Sequence, residues 1–207
     1  MVQSNSPVWA NYVKHVLLWE GKTSKDPDDT SAAKCAPFKG AYHTNKGVTY
    51  CTFKSLAAKL GITPVTYEKF VKLTDYEVGL FIYEFYKKNQ PERLPDSIAL
   101  ALVEARWLSG DWSVKHLQKL VGTPQTGILD ETTIQLTNKM DETTLFAAYV
   151  KERDRFLKSL KNAPKYYNGW SNRLTAFQKL GVAAQKKKPN RKIFIDAFNA
   201  GLLFYNS

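Results

Sequence analysis

Cysteine is almost missing from this chain of 207 residues: Cys35 and Cys51 are the whole supply. Two cysteines cannot build a disulfide scaffold, so the fold must rest on a buried core, which a chain of this length can form. Whether the two form a bridge or stay free thiols is open at this level. Histidine is as scarce. His15, His43 and His116 lie far apart, no Cys/His cluster has zinc-ligand spacing, and no metal or cofactor is expected. Long apolar runs are absent too. None approaches the roughly 18 residues that span a bilayer, so no transmembrane segment is expected. The run Val16-Leu17-Leu18-Trp19 has only Lys14 and His15 ahead of it and no small-residue cleavage site after it, which does not read as a secretory leader. Acidic residues are the minority, 19 against 30 basic, for a net charge of +11. That excess favours an anionic partner such as nucleic acid, an acidic membrane surface or the bacterial cell wall, or else serves solubility. Against the first stands the lack of any helix-turn-helix, zinc-finger or RNA-binding signature. No phosphate-cradling glycine loop and no Gly-x-Ser-x-Gly elbow is present either.

Helical periodicity is abundant where alternating strands are scarce. Trp9, Val13, Val16, Leu17 and Glu20 share one side of a first helix. Residues 21–50 have no helical period and hold room for a small β-hairpin, with Gly47–Cys51 as one strand. Phe53, Leu56, Ala57 and Leu60 follow, closed by Gly61. Thr74-Asp75-Tyr76-Glu77 reads as a capping box that opens a helix through Phe85. Further helices are expected over 96–109, capped by Asp96 or Ser97, over 113–121 ended by Gly122, and from Asp130 or Glu131 to about Met140. The clearest is 142–160, and another runs from Asn168-Gly169-Trp170 to about Leu180. The run 186–192 reads as a solvated basic break before a last amphipathic helix through Ile193, Phe198 and Tyr205. The fold class is mainly α.

The chemistry sits near the N-terminus. Glu20 follows the apolar run at the end of the first helix, and an acid-rich turn, Asp26-Pro27-Asp28-Asp29, comes next. Glycoside hydrolysis by the two-carboxylate route needs one protonated acid and one ionised partner. Apolar neighbours and the negative end of a helix dipole favour a protonated Glu20. Asp29, in a polar loop, suits an ionised partner, with Asp26 and Asp28 in competition for that place. An ordinary helix end beside a surface turn would leave the same spacing. Trp107, Trp112, Trp170 and Tyr166-Tyr167 have faces able to stack on sugar rings, although aromatics at helical spacing are more often core. Glu104 stands on an otherwise apolar helix, either lining a cleft or paired with Arg106 or another base.

The ordered set Trp19-Glu20-Gly21, Asp26-Pro27, Asp29, Thr44-Asn45-Lys46-Gly47-Val48-Thr49 and Phe53 resembles the signature of glycoside hydrolase family 108, lysozyme-like N-acetylmuramidases. Downstream, Leu117 to Gly122, Thr126-Gly127-Ile128-Leu129 and Thr133 resemble the peptidoglycan-binding region that accompanies that family. Arg153, Phe156, Leu157, Leu160 and Gly169-Trp170-Ser171-Asn172-Arg173 resemble its closing segment. The chain departs from the pattern at Lys22, Lys87 and Thr126, and in a longer interval between Asp29 and Thr44. The resemblance implies a lysozyme-like helical domain with a small β-hairpin near the active-site loop. It implies a catalytic region over 1–90, a helical region over 91–182 that completes the cleft, and a basic linker with a C-terminal helix over 183–207. It makes Glu20 the catalytic acid, with Asp29 and Thr44 holding water, and assigns Glu104, Thr49 and Tyr86 to substrate binding. The implied reaction is cleavage of the β-1,4 bond between N-acetylmuramic acid and N-acetylglucosamine. Expected partners are peptidoglycan glycan strands and other virion proteins, with no nucleic acid. The expected setting is a phage endolysin or virion-associated lysozyme, made in the cytoplasm and acting on the wall after holin release or as a virion component. A catalytically silent wall-binding or virion structural protein with the same fold is the alternative.

Overall fold

The computed structural model describes residues 7–186, with ten helices and one small sheet among them. The basic break beyond Lys186 and the final amphipathic helix of the sequence reading lie outside the described residues. By packing, residues 13–84 form one compact unit, and Pro7 to Tyr12 group with Phe85 to Lys186 in another. The boundaries expected from the sequence fall after 90 and 182.

The smaller unit takes up helix α1 (Pro7–Trp19) from Val13 onward. It continues through strand β1 (Thr23–Ser24), the single turn α2 (Thr30–Ala33), and strands β2 (Thr44–Asn45) and β3 (Val48–Thr49). Helices α3 (Tyr50–Leu56) and α4 (Tyr67–Val71) follow, then α5 (Asp75–Lys87) as far as Glu84. The sheet has three antiparallel strands in the order β1-β2-β3, one more than the expected hairpin. The strand expected over Gly47–Cys51 stops at Thr49, because the Thr49 hydroxyl accepts from the Thr52 amide and opens α3. Lys46 and Gly47 both hold positive φ, 47° and 80°, which a two-residue turn joining twisted antiparallel strands requires. Lys46 is held in that conformation by its ammonium, which donates to the Leu73 carbonyl at 3.0 Å and pairs with Asp75. The capping box at α5 forms as expected: Glu77 N donates to Thr74 Oγ1 and Thr74 N donates to Glu77 Oε2. Val16, Val48, Phe53, Phe70, Val78, Phe81 and Ile82 fill the core. Phe53 and Phe70 pack with Tyr50 and Tyr67 in an aromatic cluster.

The larger unit is built on helix α6 (Asp96–Ser109), whose residues from Ser97 to Ala105 are all buried. A helix apolar on every side has to be enclosed, and α6 packs against α7 (Trp112–Val121), α9 (Glu142–Ser159) and α10 (Ala163–Lys186). Helix α8 (Glu131–Lys139) packs on α7 and is capped by Asp130, as expected. Neither Asp96 nor Ser97 caps α6. Instead the Glu142 carboxylate, at the start of α9, accepts from both Ser97 N (2.9 Å) and Ser97 Oγ (2.8 Å). This ties the first turn of α6 to α9. Helix α10 is longer than expected at both ends and carries Gly169 in its interior. No helix among the described residues is long and apolar enough to cross a membrane.

Candidate active site

Glu20 sits one residue past α1, and its amide still donates to the Val16 carbonyl at 2.9 Å. The helix therefore carries it to a fixed place, half-buried and next to Trp19. On the opposite side of α1 from the exposed Leu18, Val13 and Val16 are buried and anchor the helix. This is the geometry that the amphipathic spacing anticipated.

The acid turn is organised by its own side chains. Asp26 Oδ1 accepts from Asp28 N at 3.0 Å, the Asp26 carbonyl accepts from Asp29 N at 3.1 Å, and Ser24 Oγ accepts from Asp26 N. Asp29 then caps α2, its Oδ1 accepting from Ala32 N at 3.3 Å. The carboxylate is exposed and its second oxygen has no partner among the described residues, so it is available to a water. Just beyond α2, Cys35 forms a disulfide with Cys51 in the first turn of α3. The bridge links the segment that carries Asp29 to the segment that follows Thr49. Closing a loop of 16 residues removes about 3 kcal/mol worth of unfolded-chain freedom.

Thr44 and Thr49 lie directly opposite each other on β2 and β3, and Ser24 on β1 opposes Thr44. Opposed residues share a sheet face, so three hydroxyls form one row. The other row, Thr23, Asn45 and Val48, holds the inward side chains: Asn45 and Val48 are buried, and Asn45 Nδ2 donates to the carbonyls of Phe70 and Val71 at the end of α4. Thr44 is half-buried. The Thr49 hydroxyl is engaged as the α3 cap and in a 3.0 Å contact with Thr52 Oγ1. It therefore serves the backbone first, whatever it offers a substrate.

His43, which the sequence reading considered only as a metal ligand, is almost fully enclosed. Its Nδ1 is 2.9 Å from Thr44 Oγ1 and its Nε2 is 3.1 Å from the Asp26 carbonyl. The ring thus joins the acid turn to the threonine row.

The two remaining substrate-binding candidates belong to the larger unit. Glu104 is paired, and with a base other than Arg106. Its side chain is buried, Arg173 Nε donates to Oε1 at 2.6 Å, Arg173 Nη2 donates to Oε2 at 3.1 Å, and Tyr12 OH donates to Oε2 at 2.9 Å. The carboxylate holds α6, α10 and α1 together. Its base is Arg173, and Arg106 instead pairs with Asp111 and Asn89. Tyr86 is buried in α5, with 1% of its surface exposed, which leaves no aromatic face for a sugar. Of the aromatic candidates, Trp112 is the exposed one, its ring tilted against Phe156 and under the Lys115 ammonium. Trp107 packs edge-on against Phe85, and Trp170 lies tilted against Tyr166.

Residues 13–110 match the family model described as Glycosyl hydrolase 108. The match takes in all six residues named for the site and ends ahead of the Leu117–Thr133 and Gly169–Arg173 motifs. The structure of Brucella abortus SagA is similar to this chain, with a TM-score of 0.69 and 25% sequence identity over 87% of this chain and 97% of that one. Comparison with curated proteins finds no match.

Proposed function

We propose that this chain, whose residues 13–110 match the glycosyl hydrolase 108 model, is a peptidoglycan hydrolase that cleaves the β-1,4 bond between N-acetylmuramic acid and N-acetylglucosamine by a single inverting displacement. The observation that carries this reading is the placement of Glu20, the acid turn and the threonine row in one compact unit of residues 13–84. Glu20, half-buried at the end of α1, protonates the leaving glycosidic oxygen. A water held by the Thr44 hydroxyl attacks the anomeric carbon from the opposite face. Asp29, with one carboxylate oxygen free, orients that water and takes its proton. The proton lost by Glu20 and the one gained by Asp29 balance, and the solvent resets both groups.

An inverting site of this type keeps its two carboxyl groups roughly 6.5–9.5 Å apart, leaving room for the water. The setting we propose is a phage endolysin or a virion-associated lysozyme, tested by expressing the protein in cells with and without a holin and reading lysis. The bond is tested separately. Purified peptidoglycan is digested, its new reducing ends are reduced with borohydride, and the products are read by mass spectrometry. The proposal expects reduced N-acetylmuramic acid, with the α-anomer as first product. New ends on N-acetylglucosamine would reject the assignment.

A further inference from the structure

We propose that His43 is a positioning residue for the attacking water, acting through the Thr44 hydroxyl. The inference rests on the muramidase reading above and adds to it the group that sets the direction of Thr44.

The donors and acceptors around the ring fix which of its nitrogens carries hydrogen. His43 Nε2 faces a backbone carbonyl, that of Asp26, at 3.1 Å. A carbonyl only accepts, so Nε2 must carry hydrogen. In the neutral ring this leaves Nδ1 as a lone pair, and its partner at 2.9 Å, Thr44 Oγ1, must donate. A threonine hydroxyl has one hydrogen. Once it is committed to His43, the oxygen has only lone pairs for whatever else it meets, so it can accept from a water but cannot donate to one. A nucleophilic water should turn its own hydrogens toward the protein and its lone pair toward the anomeric carbon. His43 selects that orientation by fixing the Thr44 hydrogen.

The surroundings support a fixed ring. His43 is 2% exposed, its amide donates to the Ser24 carbonyl at 3.0 Å, and its carbonyl accepts from Tyr50 N at 2.8 Å. The ring is held from both ends, by the acid turn through Nε2 and by strand β1 and the start of α3 through the backbone. Rotation about its side-chain bonds would break the Asp26 contact and leave a buried N–H unsatisfied.

A merely structural role would tie the acid turn to the sheet through Nε2 and would not use Nδ1. Two substitutions separate the two roles. In His43→Asn the side-chain oxygen takes the place of Nδ1 and can accept from Thr44. In His43→Gln the amide nitrogen takes the place of Nε2 and can donate to Asp26, with nothing to receive the Thr44 hydrogen. His43→Leu removes both contacts. Steady-state rates on soluble, peptide-free glycan strands, with the melting temperature of each variant, give the readout. The proposal expects His43→Leu and His43→Gln to lose roughly 10- to 100-fold in kcat with KM within about twofold of wild type, and His43→Asn to recover most of that loss. His43→Gln should nevertheless melt closer to wild type than His43→Asn. Recovery by His43→Gln and not by His43→Asn would overturn the proposal and leave a brace. Equal kcat in all four proteins would overturn it as well. Wild-type and Glu20→Gln proteins are run beside them. Activity in the first and none in the second upholds the underlying reading, so a failure of the His43 series is then a failure of this inference alone. A wild type that cleaves nothing removes both.

Discussion

Replacing Glu104 with glutamine should cost the protein stability before it affects any contact with glycan. The side chain is 4% exposed, Arg173 is 5% exposed, and two donors from the guanidinium and one from Tyr12 converge on the two carboxylate oxygens. Glutamine has nearly the same shape, so little cavity forms, but the charge is gone. Arg173 then loses the carboxylate that its guanidinium grips with Nε and Nη2. Arg153, 3% exposed, shares the site: burial lowers its pKa, Tyr149 and Glu104 pull it back up, and Arg173 adds to the lowering. Glu104 is thus the charge that two buried guanidiniums share. Removing one partner of a buried pair costs about 3–5 kcal/mol. A domain stable by about 5–15 kcal/mol would lose between a fifth and all of its margin. Urea unfolding followed by circular dichroism measures the loss. The double variant Glu104→Gln with Arg173→Met should recover about 2 kcal/mol or more relative to the sum of the single changes, because both halves of the buried pair are removed together. A Glu104→Gln protein within 1 kcal/mol of wild type would refute this account of the pair. If that stable protein also failed to bind glycan strands, Glu104 would return to the substrate-binding role given by the family resemblance.

Two further expectations concern the larger unit. Gly181 lies in α10, and a Cβ built there would overlap the buried ring of Phe146. Gly181→Ala should therefore destabilise by roughly 1–3 kcal/mol despite the better helix propensity of alanine, and an unchanged or raised melting temperature would contradict the close approach of α9 and α10. His116 is buried against Phe156 and Trp112, and burial, with Arg153 adding to it, pushes its pKa down from 6.5 to about 4. A lowered histidine pKa leaves stability intact above the unfolded value and removes it as pH falls from about 6.5 towards 4, by up to roughly 3 kcal/mol. The stability difference between wild type and His116→Leu should shift in favour of the variant across that window, and a constant difference would refute it.

How much of this was legible beforehand follows from how local each signal is. The capping box at Thr74 and Glu77, the Asp130 cap and the left-handed Gly122 depend on residues within four positions, and each forms as the pattern indicates. The short helices α2 and α4 have too few residues to show a period, so only their caps, Asp29 and Thr66, hint at them. The cap of α6 went to Glu142, which is 45 residues away, and the partner of Glu104 is 69 residues away; no local pattern carries such pairings. At the candidate site the family motif marked Glu20, Asp29 and Thr44. It passed over His43, whose role lies in which of its nitrogens faces a carbonyl, a matter of coordinates.

The central claim is that Glu20 is the acid of a wall-cleaving glycosidase. Loss of turbidity of purified peptidoglycan, measured with wild type and Glu20→Gln at equal concentration and matched melting temperature, tests it most directly. The account predicts that the wild type clears the suspension and that Glu20→Gln is slower by a factor of roughly 100 or more. Equal clearing by the two proteins, or none by either, would contradict it.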